Sequence, residues 1–227
     1  MALVEINDVD ELQAIKDALS GDYILGNDID AAATSGWNGN AGFISLGNIT
    51  TKFTGTFDGD GYVITDLFID RTGEAYQGLF GYTDTGTEIK NVGVVDVDIT
   101  GSASVGGLLG YNNVGTVTNC YSTGSVSGGN NVGGLLGYNY FGAYNDCFWD
   151  TETSGQDTSA GGTGESTADM MKQATFTNWD FTDPDTWDIT EDETYPWLHS
   201  LGPPPEPEPE GLSIPIAMHH YKQMAGN

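Results

Sequence analysis

Apolar residues in this chain come in short bursts broken by glycine, Asn and Asp, and the bursts between residues 53 and 150 show no 3.6-residue helical spacing. Val92 to Thr100 alternates apolar and polar residues in part, as a half-buried strand does. The bursts also recur. Gly78-Leu79-Phe80-Gly81-Tyr82 returns as Gly107-Leu108-Leu109-Gly110-Tyr111 after 29 residues, and as Gly134-Leu135-Leu136-Gly137-Tyr138 after 27 more. A second block keeps the same time: Ile89-Lys90-Asn91-Val92, Val117-Thr118-Asn119-Cys120 and Tyr144-Asn145-Asp146-Cys147. Ile64-Thr65-Asp66-Leu67 fits that slot one step earlier. A fixed period of this size marks stacked units, none able to bury its apolar face alone. About 27 residues in three short strands, with glycine and Asx at the corners, make one rung of a parallel β-helix adding about 4.8 Å of height.

The expected fold is therefore all-β, a right-handed parallel β-helix of roughly four to five coils. Leu79, Leu108 and Leu135 should share one column, and Val92, Cys120 and Cys147 another. Asp66, Asn91, Asn119 and Asp146 should form an Asx column at a turn, bonding along the ladder. Residues 1–52 read as an N-terminal cap and first coil. Within them, residues 8–19 form a capping helix, with Asn7 or Asp8 as N-cap, Leu12, Ile15 and Leu19 on one face, and Trp37 and Phe43 as core anchors. Residues 53–150 are the rungs. Residues 151–201 lose the period and gather Trp179, Phe181, Trp187 and Trp197, read as a C-terminal cap over the last rung or, alternatively, a carbohydrate-stacking platform.

The repeat wording resembles the GLUG-motif family of bacterial and archaeal surface proteins. The likeness extends upstream through Glu11-Leu12-Gln13-Ala14-Ile15, Asp22 to Asp30 and Phe53 to Gly61. Downstream it runs from Cys147-Phe148-Trp149-Asp150 to Tyr195-Pro196-Trp197-Leu198. The resemblance implies a β-helical, adhesin-like surface module and supplies no catalytic residues.

Charge narrows the partners. Asp and Glu number 33 against 6 Lys and Arg, a formal net charge of −27. Such a surface repels nucleic acid, anionic lipid and acidic polysaccharide, leaving neutral glycans as the sugars it could contact. No stretch approaches the ~20 apolar residues of a membrane span. Met1-Ala2-Leu3-Val4-Glu5 lacks the basic and apolar regions of a secretory signal, so the expectation is either a fragment of a larger exported protein or a chain that leaves the cell another way, for instance in a virus particle, with an extracellular or virion-surface setting. Cys120 and Cys147 fall in one column, where parallel stacking aims both side chains the same way; buried free thiols are expected rather than a bridge.

The search for chemistry yields no catalytic, cofactor-binding or metal residues. Asp58 with Asp60, and Asp96 with Asp98, are carboxylate pairs of the kind a glycan hydrolase uses, but alternating positions on one strand read first as a solvated face. Asn27-Asp28-Ile29-Asp30 and Asp58-Gly59-Asp60-Gly61 have the look of calcium loops without the full ligand series, so at most loose calcium is expected. Lys52, Arg71 and Lys90 are the cations of the rungs, too few for cleaving a polyanion. Adjacent His219 and His220 would point to opposite sides of a strand.

Past the cap the composition inverts. Residues 202–210 read Gly-Pro-Pro-Pro-Glu-Pro-Glu-Pro-Glu, a stiff polyproline II spacer of about 28 Å. Residues 211–227 then carry no acid, and Leu212, Ile214, Ile216 and Met218 alternate with Ser213, Pro215 and Ala217. With Tyr221 they read as a docking peptide for a larger assembly, the bland alternative being a disordered tail. The leading expectation is a non-enzymatic virion accessory protein, such as a decoration or tail appendage, anchored by this peptide. A cell-surface adhesin fragment and a glycan-active enzyme are the alternatives.

Overall fold

The computed structural model describes residues 2–182 and 187–198. Their chain is a parallel β-helix with three faces. The first face is a six-stranded sheet ordered Leu3–Ile6, Asp22–Leu25, Thr56–Asp58, Glu88–Lys90, Thr116–Thr118, Ala143–Asn145. The second is an eight-stranded sheet running from Ile29–Asp30 to Thr163–Glu165, with Gly93–Gly106 as its longest strand. The third holds only Phe80–Thr83, Leu109–Asn112 and Leu136–Asn139. Complete rungs, with a strand on every face, therefore number three, fewer than the four to five coils expected. Below them the third face is irregular chain touching the stack through the parallel bridges Leu46 to Phe80 and Phe53 to Thr83.

The period-two pattern explains each face. Tyr23, Phe57, Ile89 and Val117 stack inward in one register while their neighbours face out. Phe80 aligns with Leu109 and Leu136, which puts Leu79, Leu108 and Leu135 in one buried column as expected. Gly93 aligns with Tyr121 and Tyr121 with Phe148, so the preceding Val92, Cys120 and Cys147 also share a column. Both thiols are buried and free. Each donates to a carbonyl of its own strand end, Cys120 Sγ to Thr118 O and Cys147 Sγ to Asn145 O, both at 3.1 Å.

The Asx column needs one correction. Asn91, Asn119 and Asp146 stack as expected, all left-handed, with Asn119 Nδ2 donating to Asn91 Oδ1 at 3.3 Å. Asp66 is elsewhere. Thr65 pairs with Val95, so Asp66 stacks on Asp96 at the next corner, and both are again left-handed. Asn91 instead meets the Asp58 turn, donating to Asp58 Oδ1 at 3.1 Å. Both corners use the same device, a left-handed Asx before an inward aliphatic, so the short block in the sequence fits either one.

At the N-terminal end a helix spans Val9–Ala14 and continues as a 3₁₀ turn over Ile15–Asp17. Asp8 is its N-cap, accepting from Glu11 N at 2.8 Å, while Glu11 Oε2 accepts from Asn7 N, one residue before the cap. Leu12 and Ile15 are buried on the stack and Leu19 packs beside them. Phe43 is buried as a core anchor, and Trp37 is partly buried against the same cluster. The strand Leu3–Ile6, ahead of the helix, is an addition: residues read only as cap form the first strand of the six-stranded sheet.

The C-terminal aromatics sit differently from expectation. Phe176, Trp179, Trp187 and Met170 cluster with Val63, Tyr121 and Phe148, which face outward from the eight-stranded sheet. The cap thus lies along the flank of the solenoid, and the chain around residues 158–165 covers the end. Strand Thr163–Glu165 pairs on Phe148–Asp150, and the Ala160 N–H donates to Leu136 O. The reason is periodicity: Tyr121 and Phe148 break the polar-out rule, and an outward aromatic needs its own cover. Buried Asp150 ties the flank down. Its Oδ1 caps the turn Thr151–Ser154 through Glu152 N and Thr153 N, and its Oδ2 accepts from Thr167 Oγ1 and Tyr195 Oη, both at 2.7 Å.

Candidate functional site

Several of the residues weighed for chemistry serve the fold. Asp58 Oδ1 accepts from Asp60 N and Asn91 Nδ2, and its Oδ2 lies 3.3 Å from Lys90 Nζ. That carboxylate raises the Lys90 pKa. Asp96 holds a left-handed corner with its N–H on Thr123 Oγ1, and burial pushes its carboxyl above the ordinary value. Asp98 faces solvent from the same strand. In the other calcium-like run, Asp28 Oδ1 accepts from Val63 N and Asn27 Nδ2 donates to Asn7 O, joining neighbouring coils. Lys52 pairs with Asp84 at 2.7 Å, and Arg71 with Glu74 at 3.1 Å while its Nε reaches Phe43 O. Among the described residues, no group of three or more His, Cys, Asp and Glu is arranged to hold a metal.

What the structure brings together is an aromatic face. The last residue of each repeated pentapeptide points outward from the three-stranded sheet, so Tyr82, Tyr111 and Tyr138 form a ladder. Tyr82 stacks on Tyr111 with centroids 4.4 Å apart and Tyr111 on Tyr138 at 5.0 Å. Tyr76 packs edge-on against the first two, and the Lys52 ammonium sits 5.4 Å from the Tyr82 centroid. Burial, then the neighbouring Tyr82, pushes the Tyr111 phenol up to about 12. The sequence showed the repeat of these tyrosines; their stacking needs the register. Beyond Tyr138 the chain exposes Tyr140 and Phe141, the latter 71% exposed.

The second feature is the C-terminal end of the stack. A cleft of about 380 Å³ opens there, lined by Tyr144, Asp146, Cys147, Phe148, Thr163 and Glu165. The residues expected to dock a partner, Leu212, Ile214, Ile216, Met218 and Tyr221, lie outside the described residues, as do His219 and His220.

Residues 101–127 match the sequence profile of the GLUG motif. The chain carries the GLUG motif. This GLUG-motif chain is 44% identical over 131 residues to halomucin of Haloquadratum walsbyi, covering 54% of the chain and 1% of halomucin. It is 36% identical over 83 residues to a protein named as a Gly-rich membrane protein of Evansella cellulosilytica, covering 36% of the chain and 10% of that protein. The GLUG-motif chain thus spans a small part of either relative. Among solved structures, a chain described as an immunoglobulin A1 protease from Bacteroides ovatus aligns with a TM-score of 0.48 and 22% identity, over 64% of this chain and 46% of that one.

Proposed function

We propose that this chain is a non-enzymatic, surface-exposed β-helix module, joined to a larger assembly through residues 211–227 and presenting its outer faces to neutral glycans. The observation that carries the reading is the 44% identity to halomucin over a stretch amounting to 1% of that protein, so a unit of this kind occurs as a small part of a very long chain. The second relative is named as a membrane protein, which favours a cell-envelope setting. Of the settings expected from the sequence, the cell-surface adhesin therefore has more support than the virion appendage. Within the module, the tyrosine ladder is the face offered to a sugar, since aromatic rings pair an apolar body with a polar tip. Of the carboxylates weighed for hydrolysis, Asp58 is held in a corner by Asn91 and Lys90.

The test has two parts. Gold-labelled antibody to the solenoid should decorate intact cells at the envelope; label confined to virus particles would move the module to the virion setting, and label confined to cell interiors would overturn both. A chain ending at Gly202 should fold with an unchanged circular dichroism spectrum yet fail to join its assembly. Residues 203–227 grafted onto an unrelated soluble domain should join it. Unchanged incorporation after truncation would place the anchor on the solenoid.

A further inference from the structure

The level above the last complete rung is filled on two faces and open on the third. On the eight-stranded sheet it is filled by Thr163–Glu165, paired on Phe148–Asp150. On the three-stranded sheet it is filled by residues 158–160, through Ala160 N to Leu136 O and Leu136 N to Ser159 Oγ. On the six-stranded sheet the last strand, Ala143–Asn145, pairs only with Thr116–Thr118 among the described residues. Its inward residue Tyr144 continues the column of Phe57, Ile89 and Val117 but is 43% exposed, and the 380 Å³ cleft lies beside it. One strand would complete the level.

We infer that this strand is Leu212–Met218 of a second copy, added in parallel to Ala143–Asn145. The inference rests on the tail-docking reading above and names the partner. Side-chain alternation matches: Leu212, Ile214, Ile216 and Met218 share one face, as an inward-facing strand requires. Pro215 selects the register. The Ala143 N–H points back to Gly115 O and the Asn145 carbonyl accepts from Asn119 N, so the Tyr144 peptide groups face the open edge. With Ile216 opposite Tyr144, the Pro215 carbonyl accepts from Tyr144 N–H and the Ala217 N–H donates to Tyr144 O. The N–H that proline lacks would have met Gly142 O, which already accepts from Asn139 Nδ2 at 3.0 Å. Charge also matches: His219, His220 and Lys222 follow the strand past the corner where Asp146 and Glu165 flank the cleft, and residues 211–227 bring no acid to a chain of net charge −27.

The spacer decides between the chain's own edge and a neighbour's. The described chain ends at Leu198, paired with Trp187. The Trp187 ring stacks 4.3 Å from Trp179, whose Nε1 donates to Asp146 O at the cleft. The exit is thus only a few side-chain contacts from the chain's own acceptor edge, and a stiff arm of about 28 Å overshoots it. Such an arm suits a neighbouring copy. The contact is head-to-tail and does not close on itself, so copies should form a linear series.

Two full-length variants test this. Ile214→Asp with Ile216→Asp disables the donor strand. Tyr144→Pro removes the edge-facing N–H while Ala143 and Asn145 keep their bonds to Thr116–Thr118. The wild-type chain should show a concentration-dependent oligomer ladder by sedimentation velocity in 1 M NaCl. Each variant alone should sediment as a monomer with an unchanged circular dichroism spectrum, and an equal mixture should give dimers and nothing larger. Oligomers formed by the donor variant, or a mixture that stays monomeric, would overturn the inference. If Tyr144→Pro misfolds, labelled residues 211–227 as a peptide should compete wild-type oligomers apart, and failure to do so overturns it equally. A monomeric wild-type chain whose residues 203–227 still carry a grafted domain into the native assembly would sink this inference while leaving the docking reading standing.

Discussion

Left-handed backbone costs an L-residue about 1–2 kcal/mol, and Asn and Asp meet that cost best because their short side chains bond locally. Asn119, at φ 51°, carries both demands, holding the corner and donating to Asn91 Oδ1. Asn119→Ala should lower stability by about 2 kcal/mol, adding the lost hydrogen bond to the strain. Asn119→Gly, free of the strain, should lose less; urea denaturation checks the order. Ser122 behaves in the opposite way. Its hydroxyl is buried in the column of Val94 without a partner, so Ser122→Ala should be neutral or stabilising by up to about 1 kcal/mol. Gly93 is required by its neighbour on the next rung, since a Cβ there would lie 2.3 Å from the buried Tyr121 ring. The two thiols differ. Burial pushes the Cys120 thiol well up while the hydrogen bond with Cys120 lowers that of Cys147, which lines the cleft, so thiol reagents should reach Cys147 first in the folded chain, spare Cys120, and find 2 thiols after unfolding.

Among the elements, the flank cap is held on the solenoid by its aromatic cluster and by a set of polar anchors. Tyr121 Oη donates to Pro196 O at 2.6 Å, and Asp150 gathers Thr167 and Tyr195. Burial, then the Asp150 carboxylate it donates to, holds the Tyr195 phenol well above its usual value. Asp150→Ala should cost about 3 kcal/mol, because it removes a charged acceptor from several donors at once. The loss should appear first in tryptophan fluorescence, since Trp179 and Trp187 belong to the cap, while far-ultraviolet dichroism of the rungs persists. Cap and rungs then melt separately, as expected of a solenoid whose units contact only their neighbours.

For the whole molecule the dominant fact is a net charge of −27. Self-repulsion of this size should be relieved by salt, so the melting midpoint should climb with NaCl as the screening length falls below about 8 Å. Acidity acts twice. Asp28, Asp66 and Asp96 have pKa values raised first by burial, and Asp66 and Asp96 are raised further by other carboxylates. Such groups hold protons more tightly folded than unfolded, so stability should rise as pH falls from 7 through their native values. Asp84 does the reverse. Donors from Lys52, Asn113 and Thr85 hold it at about 2, so the stability it provides is present above 3.8 and is lost as pH falls toward 2. The midpoint should therefore pass through a maximum on acidification, and Asp96→Asn should raise stability at pH 7 while flattening the approach to that maximum.

The sequence by itself determined the rung. Its period, the inward columns of Leu79 and Val92 and the burial of both cysteines follow from local chemistry repeated at fixed spacing, where each unit meets only a copy of itself. Tertiary structure decided whatever depends on comparing positions that look alike locally. Asp66 could have stood at either corner until the pairing of Thr65 with Val95 fixed it. The aromatics after residue 170 could have covered the end or the side, and outward-facing Tyr121 and Phe148 drew them to the side. The open edge at Tyr144 has no signature in the chain at all. Among the described residues the level above the last rung is filled on two faces, and only the stacked fold shows where the third face ends.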